Sequence, residues 1–245
     1  FYDGAISKDI AFGNLLVSGE NFAHRINSAF TDSPNPQMVH IATDGETYGH
    51  HYKRADMALS YFMYDIVTHG HAKITIYGEF LEKHPPSHEV EIFDNTSWSC
   101  EHGIERWRSD CGCNTGAGWR QPWRAPLREA MDWLRDRLIP VYEKEMKSFG
   151  VDPWALRDDY INVIFDRTDA LVDKFFTKHF AKVLTREEKQ KVLSLLEMQR
   201  NAMLMYTSCG WFFDEISGIE TTQVMDYASR AIQLAEAFGV SLEDE

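Results

Sequence analysis

Apolar residues recur along the chain in two different registers. Phe22, Ile26 and Phe30 stand at i, i+4 and i+8, and Ser7 and Ser18 occupy positions suited to helix N-caps, so the spacing predicts two short helices near the start. Beyond the turn-rich stretch from Thr31 to Pro36, Met38-Val39-His40-Ile41-Ala42-Thr43 is a short, mostly apolar run, the pattern of a strand buried on both faces. Ala55, Ala58, Leu59, Phe62, Met63 and Ile66 then share one helical face that ends near Gly70. A second strand is predicted at Ala72 to Tyr77, and a helical turn at Glu79 to Lys83 stops at Pro85-Pro86. Glu89-Val90-Glu91-Ile92-Phe93 alternates as a half-exposed strand does. Strands alternating with helices predict a parallel α/β architecture for this half.

From Asp94 to Gln121 no period holds. The stretch holds Trp98, Trp107 and Trp119, three of the four cysteines, and turn glycines at 103, 112, 116 and 118. Aperiodic segments of this length in folded domains are mostly functional loops, and three tryptophans argue against disorder. Past Pro122 the period is helical throughout. Leu127, Met131, Leu134 and Leu138 mark one helix, and further helices are predicted at Trp154 to Phe165, Leu171 to Val183, Glu187 to Tyr206 and Glu220 to Phe238. The expected organisation is an α/β part with its loop region over 1–121 and an all-α domain over 122–245, with Leu127, Leu134, Leu195 and Met203 on buried faces.

The chain has 245 residues, 25 Lys+Arg against 38 Asp+Glu, and a formal charge of −13. That balance disfavours a nucleic-acid partner. At 44% hydrophobic and 26% charged residues the chain is neither disordered nor collagen-like, and no apolar run approaches the ~20 residues of a membrane span. Four cysteines are too few for a disulfide scaffold and fit a reducing cytoplasm. The chain opens Phe1-Tyr2-Asp3-Gly4, without an initiator Met or a leader, which is the expectation for a piece of a longer protein; a secretory leader upstream of it stays open.

Candidate chemistry follows the first predicted strand. In Asp44-Gly45-Glu46-Thr47-Tyr48-Gly49-His50-His51, two carboxylates, a phenol and two imidazoles lie within eight residues, where α/β proteins place catalytic groups. The set can transfer protons. Two other readings stay open: Asp44 is an N-cap among ordinary loop residues, or Asp44, Glu46, His50 and His51 are oxygen and imidazole ligands of zinc or manganese. Cys100-x-His102 and Cys111-x-Cys113 offer soft donors that suit zinc, but single-residue gaps are tight for tetrahedral chelation, so reduced thiols are the favoured reading and no metal ligand is assigned. Cys209, between Met203, Met205 and Trp211, is expected in a core. Trp107, Trp119 and Trp123 are each read first as packing residues.

Ala42-Thr43-Asp44-Gly45-Glu46-Thr47-Tyr48-Gly49-His50-His51 resembles the strand-end motif Asp-x-Glu-x-x-Gly-His of glycoside hydrolase family 57. Two further segments match in order. Tyr77-Gly78-Glu79-Phe80-Leu81-Glu82, leading to Pro85-Pro86, is similar to the segment that follows in family members, and Ser97-Trp98, with His102 and Trp107, resembles their Ser-Trp loop over the substrate cleft. The stretch Tyr206 to Asp214 occupies the place of a late Ser-x-Asp/Cys-x-Trp region, with Gly210 where the family has Asp before the aromatic. The whole looks most like a bacterial branch in which the barrel continues into a helical domain of unknown function.

The resemblance implies the C-terminal portion of a parallel (β/α) barrel followed by the all-α domain. It places the general acid/base on Asp44, supported by Glu46, with Tyr48, His50, His51, Trp98, His102, Trp107 and Trp211 around a carbohydrate substrate. No cofactor, nucleic acid or membrane is implied, and the oligomeric state is left open. The expected activity is a retaining glycoside hydrolase or glycosyltransferring relative acting on an α-glucan or oligosaccharide. Retention requires two carboxyl groups about 5–5.5 Å apart. Asp44 can be only the acid/base, so the nucleophile is expected upstream of residue 1 and this stretch alone is expected to be inactive. An acid must also stay protonated, for which Tyr48, Trp98 and Glu46 are the expected agents. The alternatives are a non-catalytic carbohydrate-binding or interaction protein and a metal-dependent, deacetylase-like hydrolase.

Overall fold

A computed structural model describes residues 2–243 of the chain, which packs as two units, Phe1–Glu91 and Ile92–Glu245. In the first unit the Asp3 carboxylate accepts the Ile6 N–H at 2.8 Å and so caps α1, Gly4–Phe12. Ser7 lies inside α1, where its hydroxyl donates to the Asp3 carbonyl at 2.7 Å. Ser18 is a cap: it accepts the Asn21 N–H at the start of α2, Gly19–Asn27. Helix α3 is Ala55–His69, ended by Gly70 in the left-handed region at φ 64°, and α4 is Tyr77–Lys83. The unit's core is small. Ile6, Ile10, Leu15, Leu16, Phe22, Ile26, Ala55 and Ala58 form it, with the Phe22 and Phe62 rings 4.9 Å apart where α2 meets α3. Met63, expected on the buried face of α3, is exposed.

No strand occurs among the described residues, which overturns the expected barrel portion: every regular element is helical. The reason lies in the backbone groups of the segments expected as strands. A strand exists only where neighbouring backbone completes its ladder, and the Met38–Thr43 run finds its partners elsewhere. The His40 carbonyl accepts the Asp3 N–H at 2.9 Å, and the Ala42 N–H donates to the Ser7 hydroxyl at 3.1 Å. These bonds hold the run against the start of α1. Ala72 to Ile76 is likewise irregular up to the start of α4, and Glu89 to Phe93 is exposed throughout, on both of its alternating faces.

The second unit carries a larger core. Helix α5, Arg124–Lys147, presents Met131, Leu134, Leu138, Tyr142 and Met146 as one buried stripe. The stripe carries the helix through Pro140 and on to Lys147. Asp152 caps α6, Pro153–Asp159, with bonds to the Trp154 and Ala155 N–H groups; α7, Ile161–Phe165, and α8, Asp169–His179, follow. Helix α9, Arg186–Leu204, begins with a reciprocal capping box between Thr185 and Glu188. The short α10, Cys209–Phe212, precedes α11, Ile219–Glu236, which packs on α9 and α5. Leu134 and Leu195 are buried and Leu127 half-buried, whereas Met203 is exposed. The aperiodic loop belongs to this unit by packing. Trp107 donates its indole N–H to the Ser208 carbonyl, Arg106 donates to Phe212, and Thr115 donates to Asp214.

Candidate active site

Asp44 stands immediately before a single 3₁₀ turn, Gly45–Tyr48. Its backbone is extended, at φ −63° and ψ 139°, and its carboxylate makes no capping hydrogen bond. That removes the N-cap explanation for this residue. The carboxylate is exposed and has no hydrogen-bond or ion-pair partner among the described residues. The Glu46 carbonyl gathers the backbone N–H groups of Gly49, His50 and His51, which folds the histidines back over the turn. Gly49 makes this possible at φ 151°, a conformation closed to ordinary side chains. The two imidazoles lie 5.4 Å apart edge to face and, like Glu46, are exposed. Tyr48 is half-buried and shares a 3.1 Å hydrogen bond with the Thr43 hydroxyl. Asp44, Glu46, Tyr48, His50 and His51 thus form one polar turn, and within its own unit Asp44 has no apolar wall.

The cleft of the first unit lies beside this turn in sequence, not on it. About 730 Å³ in volume, it is lined by His40, Phe62, Lys73, Tyr77, Glu79 and His84 among others. His40 Nδ1 is 3.1 Å from the Tyr77 hydroxyl. Glu79 accepts from Lys73 at 2.6 Å, from Thr75 at 2.7 Å and from Lys83, and these hydrogen bonds hold its carboxyl down to about 2. Glu79 is therefore a fixed anion and not a proton donor at neutral pH. The sequence signal for His40 was a lone imidazole in an otherwise apolar run; Glu79 stands in the second of the matched segments.

Trp98, His102, Trp107 and Trp211 belong to the second unit. Trp98 is 65% exposed, a free indole face. Trp107 is half-buried and tied through its N–H. Trp211 is fully buried, stacked at 6.5 Å on Trp123, with its own N–H unpartnered. Cys209 is exposed, because it begins α10 on the side away from the core that Trp211 fills. His102 is grouped with Cys100, Cys111 and Cys113. Burial alone would disfavour a thiolate at Cys100, but hydrogen bonds from His102, Cys111 and the Arg106 backbone outweigh it and bring the thiol to about 7.

Two residues with no assigned role organise this region. Arg124, fully buried, donates to the Phe212 and Phe213 carbonyls at 3.0 Å each. Asp214 accepts from the Thr115 N–H and hydroxyl at 2.7 Å and from Gln121 at 3.0 Å, and these bonds overcome burial to lower its carboxyl. A cation in the first turn of α5, where the helix dipole disfavours one, was the available signal for Arg124.

The comparisons with known proteins fall on the same division. Residues 1–92 match the model of glycosyl hydrolase family 57, which supports a glycoside hydrolase-type function. Residues 119–245, just over half of the chain, match the model of a domain of unknown function (DUF3536). The chain belongs, through its helical part, to the DUF3536 family, and its first part is similar to glycosyl hydrolase family 57. No curated protein and no solved structure matches it. No helix among the described residues is long and apolar enough to cross a membrane.

Proposed function

We propose that Asp44 is the general acid/base of a retaining glycoside hydrolase, or of a glycosyltransferring relative, acting on an α-linked glucan or oligosaccharide. One observation carries the assignment: within the residues that match glycosyl hydrolase family 57, the Asp44 carboxylate is exposed and committed to no cap, hydrogen bond or ion pair. In the first step a second carboxylate attacks the anomeric carbon while the Asp44 carboxyl gives its proton to the glycosidic oxygen. In the second step the Asp44 carboxylate takes a proton from the water that releases the sugar. Glu46 supports Asp44, and Tyr48, His50 and His51 bond sugar hydroxyls. Trp98 offers a flat apolar face to a sugar ring, whereas Trp211 is sealed in the core and drops out. The free thiols suit a reducing compartment.

The test is leaving-group dependence in the intact enzyme. Asp44→Asn should slow hydrolysis by roughly 10²–10⁴-fold for a poor leaving group and much less for an activated aryl glycoside. With the activated substrate a glycosyl-enzyme should accumulate, and added azide should restore turnover. Wild-type rates for Asp44→Asn on a poor leaving group would remove Asp44 from the mechanism. If the intact protein turns over no glycoside at all, carbohydrate binding without catalysis becomes the better reading.

A further inference from the structure

The loop from residue 92 to 123 contains one regular element, a 3₁₀ turn at Glu105–Trp107, and its backbone reverses at glycines with positive φ, among them Gly103 at 73° and Gly112 at 81°. These two reversals bring together side chains that the sequence leaves as two tight pairs. One sulfur each from Cys100, Cys111 and Cys113 and a ring nitrogen of His102 all lie within 4.8 Å of one another. Tetrahedral zinc, with Zn–S about 2.3 Å and Zn–N about 2.0–2.1 Å, sets its ligands roughly 3.5–3.8 Å apart. His102 Nδ1 is 3.4 Å from Cys113 Sγ and 3.9 Å from Cys100 Sγ. The donor set is already close to the size of the polyhedron. Neither short gap has to chelate alone, because each pair supplies one edge of it. No two of these sulfurs are bonded to each other: all four cysteines of the chain are free.

A second observation points to the charge such a site would carry. Three thiolates and one neutral imidazole around Zn(II) leave one net negative charge. Arg124, fully buried, turns Nη1 toward Cys111 Sγ at 3.6 Å while its other bonds go to neutral carbonyls. A buried guanidinium is stabilised by nearby anions; the Asp214 carboxylate is one, and a metal-bound thiolate is a far better acceptor for Nη1 than a neutral thiol. N–H groups aimed at a ligand sulfur are the outer contacts that orient zinc sites.

We propose that Cys100, His102, Cys111 and Cys113 bind one zinc ion in a closed, four-coordinate structural site that fixes the loop bearing Trp98 on the helical unit. Zinc takes the place of the thiol protons, which leave to solvent, and no redox change is involved. Four protein donors leave no open position, so the ion holds structure and does not activate water. Its binding energy goes into ordering a loop that has little core of its own.

The test is metal content of the purified chain, followed by replacement with Co(II). One zinc per chain is expected. The cobalt form should show thiolate-to-cobalt charge transfer in the near ultraviolet and the strong visible bands of a tetrahedral site. Cys113→Ser and His102→Ala should each abolish stoichiometric zinc, while Cys209→Ser, outside the cluster, should keep it. Should the ligand variants fail to fold, Cys113→His, which preserves a donor, and chelator titration of the wild-type chain serve in their place. Under chelator, Ser97 to Thr115 should lose protection from hydrogen exchange while α9 and α11 keep theirs. A chain that binds neither Zn(II) nor Co(II) stoichiometrically, a disulfide within the cluster, or iron with cluster absorption in place of zinc would each overturn the proposal.

Discussion

Gly210 shows how much one absent side chain decides. A Cβ at this buried position would lie 2.2 Å from Val224 Cγ2 and 2.9 Å from the Glu220 carbonyl oxygen, so α10 can approach α11 only through a residue without one. The Asp that the resemblance leads one to expect here has no room, and the departure from the pattern is explained by packing rather than by chemistry. Gly210→Ala should lower stability by about 1–3 kcal/mol, the usual cost of overpacking. In the Val224→Ala background the penalty should shrink, since the nearest clash is gone and the two sites are coupled. Urea denaturation of the four variants reads this directly, and strictly additive losses would show that the two residues do not meet. The same scale shows which site features could be read in advance. The unspent Asp44 and the conformational demand on Gly49 belong to neighbouring residues and are legible in a motif. The Cys and His cluster is assembled by backbone reversals at Gly103 and Gly112, and pair spacing alone argued against it.

At the level of elements, helices were legible where a stripe of apolar residues could be buried by other helices. The stripe from Met131 to Met146 is one case, and it overrides the local signal at Pro140, because the packing of Tyr142 and Met146, both fully buried, continues beyond the proline. Strand-like runs mislead for the complementary reason. A short apolar run says that a segment is buried, not that another strand lies beside it, and Met38 to Thr43 gives its backbone bonds to Asp3 and Ser7. Ties between helices also include charge. Glu197 on α9 accepts from Tyr160 at 2.7 Å, from Arg167 at 2.9 Å and from Arg200 at 3.3 Å. Burial raises its carboxyl, but the Tyr160 hydrogen bond and the two guanidinium charges outweigh that and leave it below the ordinary carboxylate range. A folded-state pKa below the unfolded one adds stability that is present above the unfolded value and fades as pH falls through the folded one. Glu197→Gln should therefore destabilise the chain at neutral pH and differ progressively less from wild type as acid protonates both states. Denaturation midpoints at several pH values test this, and a gap that stays constant or widens in acid would contradict it.

On the scale of the whole molecule the two units differ in what holds them. The second has a continuous core running from Met131 to Leu242, whereas the first rests on eight buried residues from short helices and leaves Met57, Tyr61, Tyr64 and Val67 of α3 exposed. Between the cores, every residue from Leu81 to Thr96 is exposed, and Pro85-Pro86 interrupts any helix there. The family 57 match ends at residue 92, inside this stretch. Local opening requires little where few apolar contacts must be broken. Brief digestion of the folded chain should therefore cut first after Lys83 with a lysine-directed protease, or after Glu89 and Glu91 with a glutamate-directed one. The product that accumulates should be the helical unit, still cooperative in thermal unfolding, while the first unit is degraded further. Early cleavage inside α9 or α11, or equal survival of both halves, would mean that the unequal cores do not set the order of opening. The loop from Ser97 to Thr115 sharpens the comparison, because it is nearly as irregular as the linker. It should resist trypsin when zinc is bound and yield at Arg106 and Arg108 once a chelator has removed the ion. Metal-independent resistance of the loop would leave its hydrogen bonds to Phe212, Ser208 and Asp214 as a sufficient tether.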